Sequence, residues 1–168
     1  MQSDVIRPAD FAAEAAQFIL QHARAAITKR GLFRLALSGG NTPRAVHAQL
    51  ARLGADLAWN RVQITFGDER CVPPEHADSN YRMARETLLD VVPIPTGNVF
   101  RIRGEIDPTA AAHEYEDKLS AVAARCGGGL GPIVATTLRA VSSSAGEPGK
   151  SEAVCPSSPT PRSSSSCT

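Results

Sequence analysis

A chain of 168 residues, 42% hydrophobic and 5% aromatic, is long enough for one domain with a substantial core. Eighteen Lys and Arg against 17 Asp and Glu leave a formal charge of +1, so no strong field argues for a nucleic-acid or membrane-surface partner. No apolar run is long enough for a bilayer, and Met1-Gln2-Ser3-Asp4 lacks the basic and apolar regions of a secretory leader. The four cysteines (Cys71, Cys126, Cys155 and Cys167) form neither a C-x-x-C pair nor a dense framework. Together these features predict a cytoplasmic protein with reduced thiols and no membrane partner.

Pro8 to about Lys29 reads as a first helix ended by Gly31, with Phe11, Ala15, Phe18, Ile19, His22 and Ala26 on one apolar face. His22 shares that stripe and is expected at the rim of the core. A strand at Leu32 to Leu37 follows, with Phe33, Leu35 and Leu37 alternating, and Gly39-Gly40 then lets the backbone turn sharply. Thr42-Pro43 reads as a helix start, Thr as N-cap and Pro at the first helical position, running to about Leu53 before Gly54. Strand, glycine loop and helix N-terminus together make an anion cradle, because free N–H groups and the helix dipole point over the loop. The same pattern also occurs as an ordinary strand-to-helix turn that binds nothing.

Val62 to Phe66 alternates as a second strand and stops at Gly67, which places Asp68-Glu69-Arg70 just past a strand's carboxyl end, where open α/β sheets bind ligands. Taken alone, Asp68-Glu69-Arg70 is also what a solvated turn with local ion pairs looks like. Ser79 can cap a third helix through about Leu89, Val99 to Ile102 is a candidate short strand, and Asp107-Pro108 opens a fourth helix to about Arg125. This alternation predicts an α/β fold with a mostly parallel sheet and helices on both faces. Cys71 is expected as a small buried residue, and His76 as a loop histidine. His47 has no second ligand at metal-binding spacing.

Ser38-Gly39-Gly40-Asn41-Thr42-Pro43 resembles the S-G-G-x-T-P loop of the sugar-phosphate isomerase and lactonase superfamily. Asp68-Glu69-Arg70-Cys71-Val72-Pro73 followed by Ser79-Asn80-Tyr81 resembles the D-E-R-x-V-P and S-N-Y signature of the 6-phosphogluconolactonase family. The glycine loop is shared with glucosamine-6-phosphate deaminases; those generally carry another residue where Arg70 stands. The resemblance implies a Rossmann-like fold, incomplete at its C-terminal end, and hydrolysis of 6-phosphogluconolactone in the oxidative pentose phosphate pathway without a metal or cofactor. It implies substrate and phosphate contacts from Ser38, Gly39, Gly40 and Thr42, with Asp68 and Arg70 as the functional pair of one acidic and one basic side chain. Arg70 would position the anionic substrate through its fork geometry, and Asp68 would orient the base or its water. Glu69 is open to simple pairing with a neighbouring arginine, and Asn80-Tyr81 to bracing the loop. An aminosugar-phosphate isomerase relative and a non-catalytic sugar-phosphate binder are the alternative readings.

The resemblance runs to about residue 125. The family's third signature, G-x-x-D-G-H-T-A-S-L-F-P, has no counterpart, and neither His22, His47, His76 nor His113 matches its histidine, the expected general base. The chain therefore divides into residues 1–125, the N-terminal part of the domain, and a tail at 126–168. Between Ser142 and Thr168, 18 of 27 residues are Ser, Thr, Pro or Gly, too few apolar groups to offset ordering entropy, so the tail is expected to be disordered. The abrupt change near Arg125 to Gly131 reads as departure from the family's reading frame. These features predict a monomer, prone to aggregation and weak or inactive as a lactonase.

Overall fold

The computed structural model describes residues 10–124 and the strand Val134–Ala135. Helix α1 spans Phe11–Arg30. The Asp10 carboxylate accepts a hydrogen bond from the Ala13 N–H at 3.0 Å and so caps its start. Gly31 ends it in the left-handed conformation (φ 73°), its N–H donating to the Ile27 carbonyl at 2.8 Å. The buried face is Ala16, Ile19, Leu20, Ala23 and Ala26. This rotates the expected stripe: Phe18 is 54% exposed, and His22 stacks against it at 4.1 Å on the solvent side rather than at the core rim. Alanines let α1 lie close against the next helix and the first strand, and phenylalanines at those positions would overpack the contact.

The strands β1 (Phe33–Leu37) and β2 (Val62–Phe66) are parallel, in register from Phe33 opposite Val62 to Leu37 opposite Phe66. On the other side of β1 lies β3, Val134–Ala135, with Val134 opposite Leu35 and Ala135 opposite Ala36. These two residues pair with the sheet; the rest of residues 126–168 lies outside the described residues. The strand order is β2-β1-β3, a parallel, Rossmann-like arrangement with β1 in the centre. Phe33, Arg34, Leu35 and Leu37 are all buried, as a central strand covered on both faces requires.

Helix α2 runs Asn41–Leu53, starting earlier than Thr42-Pro43 suggests. Gly40, at φ 105°, makes the turn by itself, so the helix begins at the next residue and Thr42 supplies no capping bond. Val46, His47 and Leu50 are buried, and Gly54 follows the helix. Trp59 sits in a short 3₁₀ turn and donates from its indole N–H to the Gly54 carbonyl at 2.9 Å.

Helix α3 (Asn80–Ala84) passes directly into a π turn at Arg85–Leu89, so one helical rod reaches Leu89 as its pattern predicts. The candidate strand at residues 99–102 shrinks to one bridge, Ile64 with Val99, because the chain turns away after Phe100. Helix α4 (Pro108–Ala124) begins where Asp107 accepts hydrogen bonds from the Thr109 and Ala110 N–H groups, both at 3.0 Å. Leu35, Leu37, Leu50, Val62, Ile64 and Leu88 are the centre of the core. Among the described residues no helix is long and apolar enough to cross a membrane.

Candidate functional site

In an open parallel sheet the loops leaving the strands' carboxyl ends diverge where the strand order reverses, and that crevice admits a ligand. Here the chain passes from β1 to β2 on one side and returns to β3 on the other, so the reversal lies at β1. The loop leaving β1 there is Ser38-Gly39-Gly40. Its outlet is α2, whose Asn41 and Thr42 N–H groups precede the first intrahelical bond, Arg44 N–H to the Gly40 carbonyl at 3.1 Å. Pro43 has no N–H, so these two residues carry the donors of the first turn.

The loop leaving β2 is held by Glu69. One carboxylate oxygen accepts from the N–H groups of Arg70 (2.9 Å) and Asn80 (2.7 Å). The other accepts from the Tyr81 N–H (2.9 Å) and the Ser79 hydroxyl (3.3 Å). Ser79 in turn caps α3 by accepting from the Arg82 N–H at 3.1 Å. Glu69 is therefore a clamp between the β2 loop and the start of α3, not the partner of a neighbouring guanidinium. Asn80, 5% exposed, donates from Nδ2 to the Asp68 carbonyl at 3.2 Å and packs its carboxamide directly against Gly39. Ser79 and Asn80 thereby join the two loops.

Between these loops opens a polar cavity of about 240 Å³, lined in part by Gly40, Asn41, Arg44, Arg70, Ser79 and Asn80. Of the residues given substrate or catalytic roles from sequence, Gly40 and Arg70 line it. Gly39 lies behind it against Asn80, Ser38 is half-buried at the end of β1, and Thr42 is exposed on the first turn of α2. Asp68 reaches Arg70 at 3.9 Å, both side chains about 60% exposed, a separation and solvation that make the pair weak. Asp68 also borders a second, largely apolar cavity of about 600 Å³ between the β2 loop, residues 102–108 and α4. Arg44 is a site residue that the reading of function from sequence passes over, whereas Asn80, expected only to brace the loop, both braces it and lines the cavity. Arg44 directly follows the S-G-G-N-T-P loop, one turn into α2, and that spacing is the signal that could have found it. Cys71 is exposed, not buried, because residues 71–79 run as an open loop.

None of the four histidines lines either cavity. His22 and His113 are exposed on helices, and His76 accepts a hydrogen bond from the Asp78 N–H at 3.2 Å. His47 is fully buried with both ring nitrogens unpartnered, and desolvation lowers its pKa from 6.5 to about 4. Among the described residues no three His, Cys, Asp or Glu side chains converge as metal ligands would.

Comparison with known proteins places this geometry in a family. The family model for glucosamine-6-phosphate isomerases/6-phosphogluconolactonase matches residues 7–137. A 6-phosphogluconolactonase from Synechocystis sp. is 44% identical over 96 residues, covering 56% of this chain and 39% of that protein. One from Treponema pallidum is 42% identical over 88 residues, 52% of this chain and 36% of that one. Among solved structures, the 6-phosphogluconolactonase of Thermotoga maritima superimposes with a TM-score of 0.56 at 28% identity, covering 64% of this chain and 50% of that one. That of Trypanosoma brucei gives a TM-score of 0.54 at 27% identity over 73% and 51%. A monomeric glucosamine-6-phosphate deaminase shares the fold, at 19% identity and a TM-score of 0.58. The chain spans about two fifths of the length of the curated relatives named here and about half of the solved ones. On the match over residues 7–137, the chain belongs to the glucosamine-6-phosphate isomerase/6-phosphogluconolactonase family.

Proposed function

We propose that this chain binds 6-phosphoglucono-1,5-lactone and promotes its hydrolysis to 6-phosphogluconate, with the phosphate held in the polar cavity. The observation that carries the reading is the convergence of Arg44, Arg70 and the first turn of α2 on that cavity. Two guanidiniums and the first-turn N–H groups of α2, against the one carboxylate of Asp78 on the same cavity, suit a dianion, and arginine's planar fork suits phosphate oxygens better than an ammonium would.

A δ-lactone is already electrophilic, so the work of the site is to hold the phosphate, orient the ring and direct water at the carbonyl carbon. Water adds there, the ring C–O bond breaks, and the water's protons end on the new carboxyl group and the released ring hydroxyl. Asp68, beside Arg70, orients the incoming water. None of the four histidines lines the cavity, so proton removal from the water has no imidazole acceptor there. We therefore expect turnover lower by roughly the 10²–10⁴-fold that general-base catalysis contributes. On this reading the chain acts as a cytoplasmic monomer on a small sugar-phosphate lactone, with no metal, cofactor or nucleic acid.

Calorimetric titration with 6-phosphogluconate and with gluconate tests the binding step. The expected result is at least tenfold tighter binding of the phosphorylated sugar, and equal affinity would overturn the reading. A lactone assay corrected for spontaneous opening tests the second step, with slow but measurable acceleration expected. Acceleration that survives Asp68→Asn together with Arg70→Met would remove the chemistry from this site.

A further inference from the structure

Among the described residues, the C-terminal end of β2 has β1 on one edge and no continuing strand on the other. Towards β1 the pairing is complete: Leu37 lies opposite Phe66, and the Gly67 N–H donates to the Leu37 carbonyl at 2.9 Å. On the far edge Val99 bridges Ile64, the Phe100 N–H donates to the Ile64 carbonyl at 2.9 Å, and the chain then departs. The next backbone groups along β2 belong to Phe66, two residues before Asp68. A buried strand end without a partner would fray, and the loop it launches would lose its starting point.

Tyr115 of α4 occupies that place. Its hydroxyl donates to the Phe66 carbonyl at 2.9 Å and accepts from the Phe66 N–H at 2.8 Å. One phenolic oxygen thus does for Phe66 what the next residue pair of a neighbouring strand would do. The two-way role needs an oxygen that is both donor and acceptor, which a tyrosine provides only while protonated. Burial pushes its pKa above the ordinary value of 10, partly offset by its bond to Phe66, so the donor persists across neutral pH.

We propose that Tyr115 is a positioning residue that sets where the Asp68–Arg70 loop leaves the sheet, and so sets the affinity of the sugar-phosphate site. The part about affinity rests on the proposed function; the part about the loop does not. Removing the hydroxyl frees both polar groups of Phe66 and lets Gly67 and Asp68 shift. Arg70 then moves relative to Arg44, which stands on a different element and does not follow.

The test compares Tyr115→Phe with Val122→Ala, a core-trimming change elsewhere on the same helix, in the full chain. Hydrogen exchange at residues 66–70 and the affinity for 6-phosphogluconate are measured well below the melting temperature of either variant. The expected result is faster exchange at Phe66 to Arg70 and about tenfold weaker binding in Tyr115→Phe alone. Val122→Ala lowers the melting temperature with wild-type exchange in that loop and wild-type affinity. Wild-type exchange at Phe66 to Arg70 in Tyr115→Phe would overturn the proposal, as would equal changes in both variants. A wild-type chain that fails to bind 6-phosphogluconate would sink the proposed function, and loop exchange would still decide whether Tyr115 holds the strand end. Altered exchange with unchanged affinity would sink only the claim that the loop's position sets binding.

Discussion

The carboxamide of Asn80 stands where a side chain on Gly39 would begin, with its Nδ2 2.9 Å from the position of a Cβ there. The same Nδ2 donates to the Asp68 carbonyl, so one buried amide ties the loop after β1 to the loop after β2. Gly39 is thus required for close approach, whereas Gly40 is required for its positive φ.

Gly39→Ala should accordingly displace Asn80 and break its bond to Asp68, destabilising the fold by about 1–3 kcal/mol in urea unfolding. In an Asn80→Ala background the same change should cost clearly less, since the obstructing amide is gone. Strict additivity of the two substitutions would show that the residues do not share this space.

Glu69 receives four hydrogen bonds from Arg70, Ser79, Asn80 and Tyr81. Glu69→Gln keeps the shape but gives an NH₂ to an environment of donors, and should lower stability by about 1–3 kcal/mol. Asp68→Asn, at an exposed side chain with one weak ion pair, should change stability by no more than about 0.5 kcal/mol. Equal losses for the two, measured by chemical denaturation, would contradict the assignment of Glu69 as clamp and Asp68 as the weakly held group.

Arg44 and Arg70 approach the polar cavity from different elements. Arg70→Lys keeps the charge and loses the fork, and should weaken 6-phosphogluconate binding about tenfold. Arg44→Met should weaken binding by a similar factor and flatten its dependence on ionic strength, while gluconate binding stays unchanged. Calorimetry at two salt concentrations reads both effects. If Arg44→Met loosens gluconate as much as its phosphorylated form, Arg44 does not meet the phosphate.

His47 gives the fold a dependence on mild acid. Its pKa is about 4 when folded and 6.5 when solvated, so between those values the unfolded chain takes up a proton that the native chain refuses. Stability should be level above about pH 7 and fall as pH drops from 6.5 towards 4, by up to about 3 kcal/mol. Glu105, held down to about 2 by Arg101, adds a further loss as pH falls from the ordinary Glu value of 4.5 towards 2, and Glu86 and Glu114, lowered by Arg82 and Lys118, add to it in the same direction. The interval from pH 6.5 to about 5.5, above the range where unfolded carboxylates begin to protonate, therefore isolates the histidine. His47→Leu, of similar bulk and with no unpaired nitrogens, should abolish the slope there and raise stability near neutral pH. A persistent slope in that variant, followed by thermal melts across the interval, would assign it to another group.

Much of this architecture is local in origin, and the chain alone determined it. Strand β2 at Val62–Phe66, the stop of α1 at Gly31 and the start of α4 after Asp107 follow from alternation, a left-handed glycine and a short capping side chain. Those signals act over a few residues, which is why they can be read in sequence. The S-G-G-N-T-P and D-E-R-C-V-P stretches likewise point to one family without any coordinates. The tertiary structure alone decided which face of α1 is buried, since Phe18 and Ile19 are equally apolar and only the space against α2 chooses between them. It alone showed Glu69 to be a clamp, Asn80 the link to Gly39, and Tyr115 the partner of Phe66, 49 residues away in sequence. Each of these depends on hydrogen-bond partners from separate segments. Such partners exist only once the sheet is assembled, and nothing in their local sequence announces them.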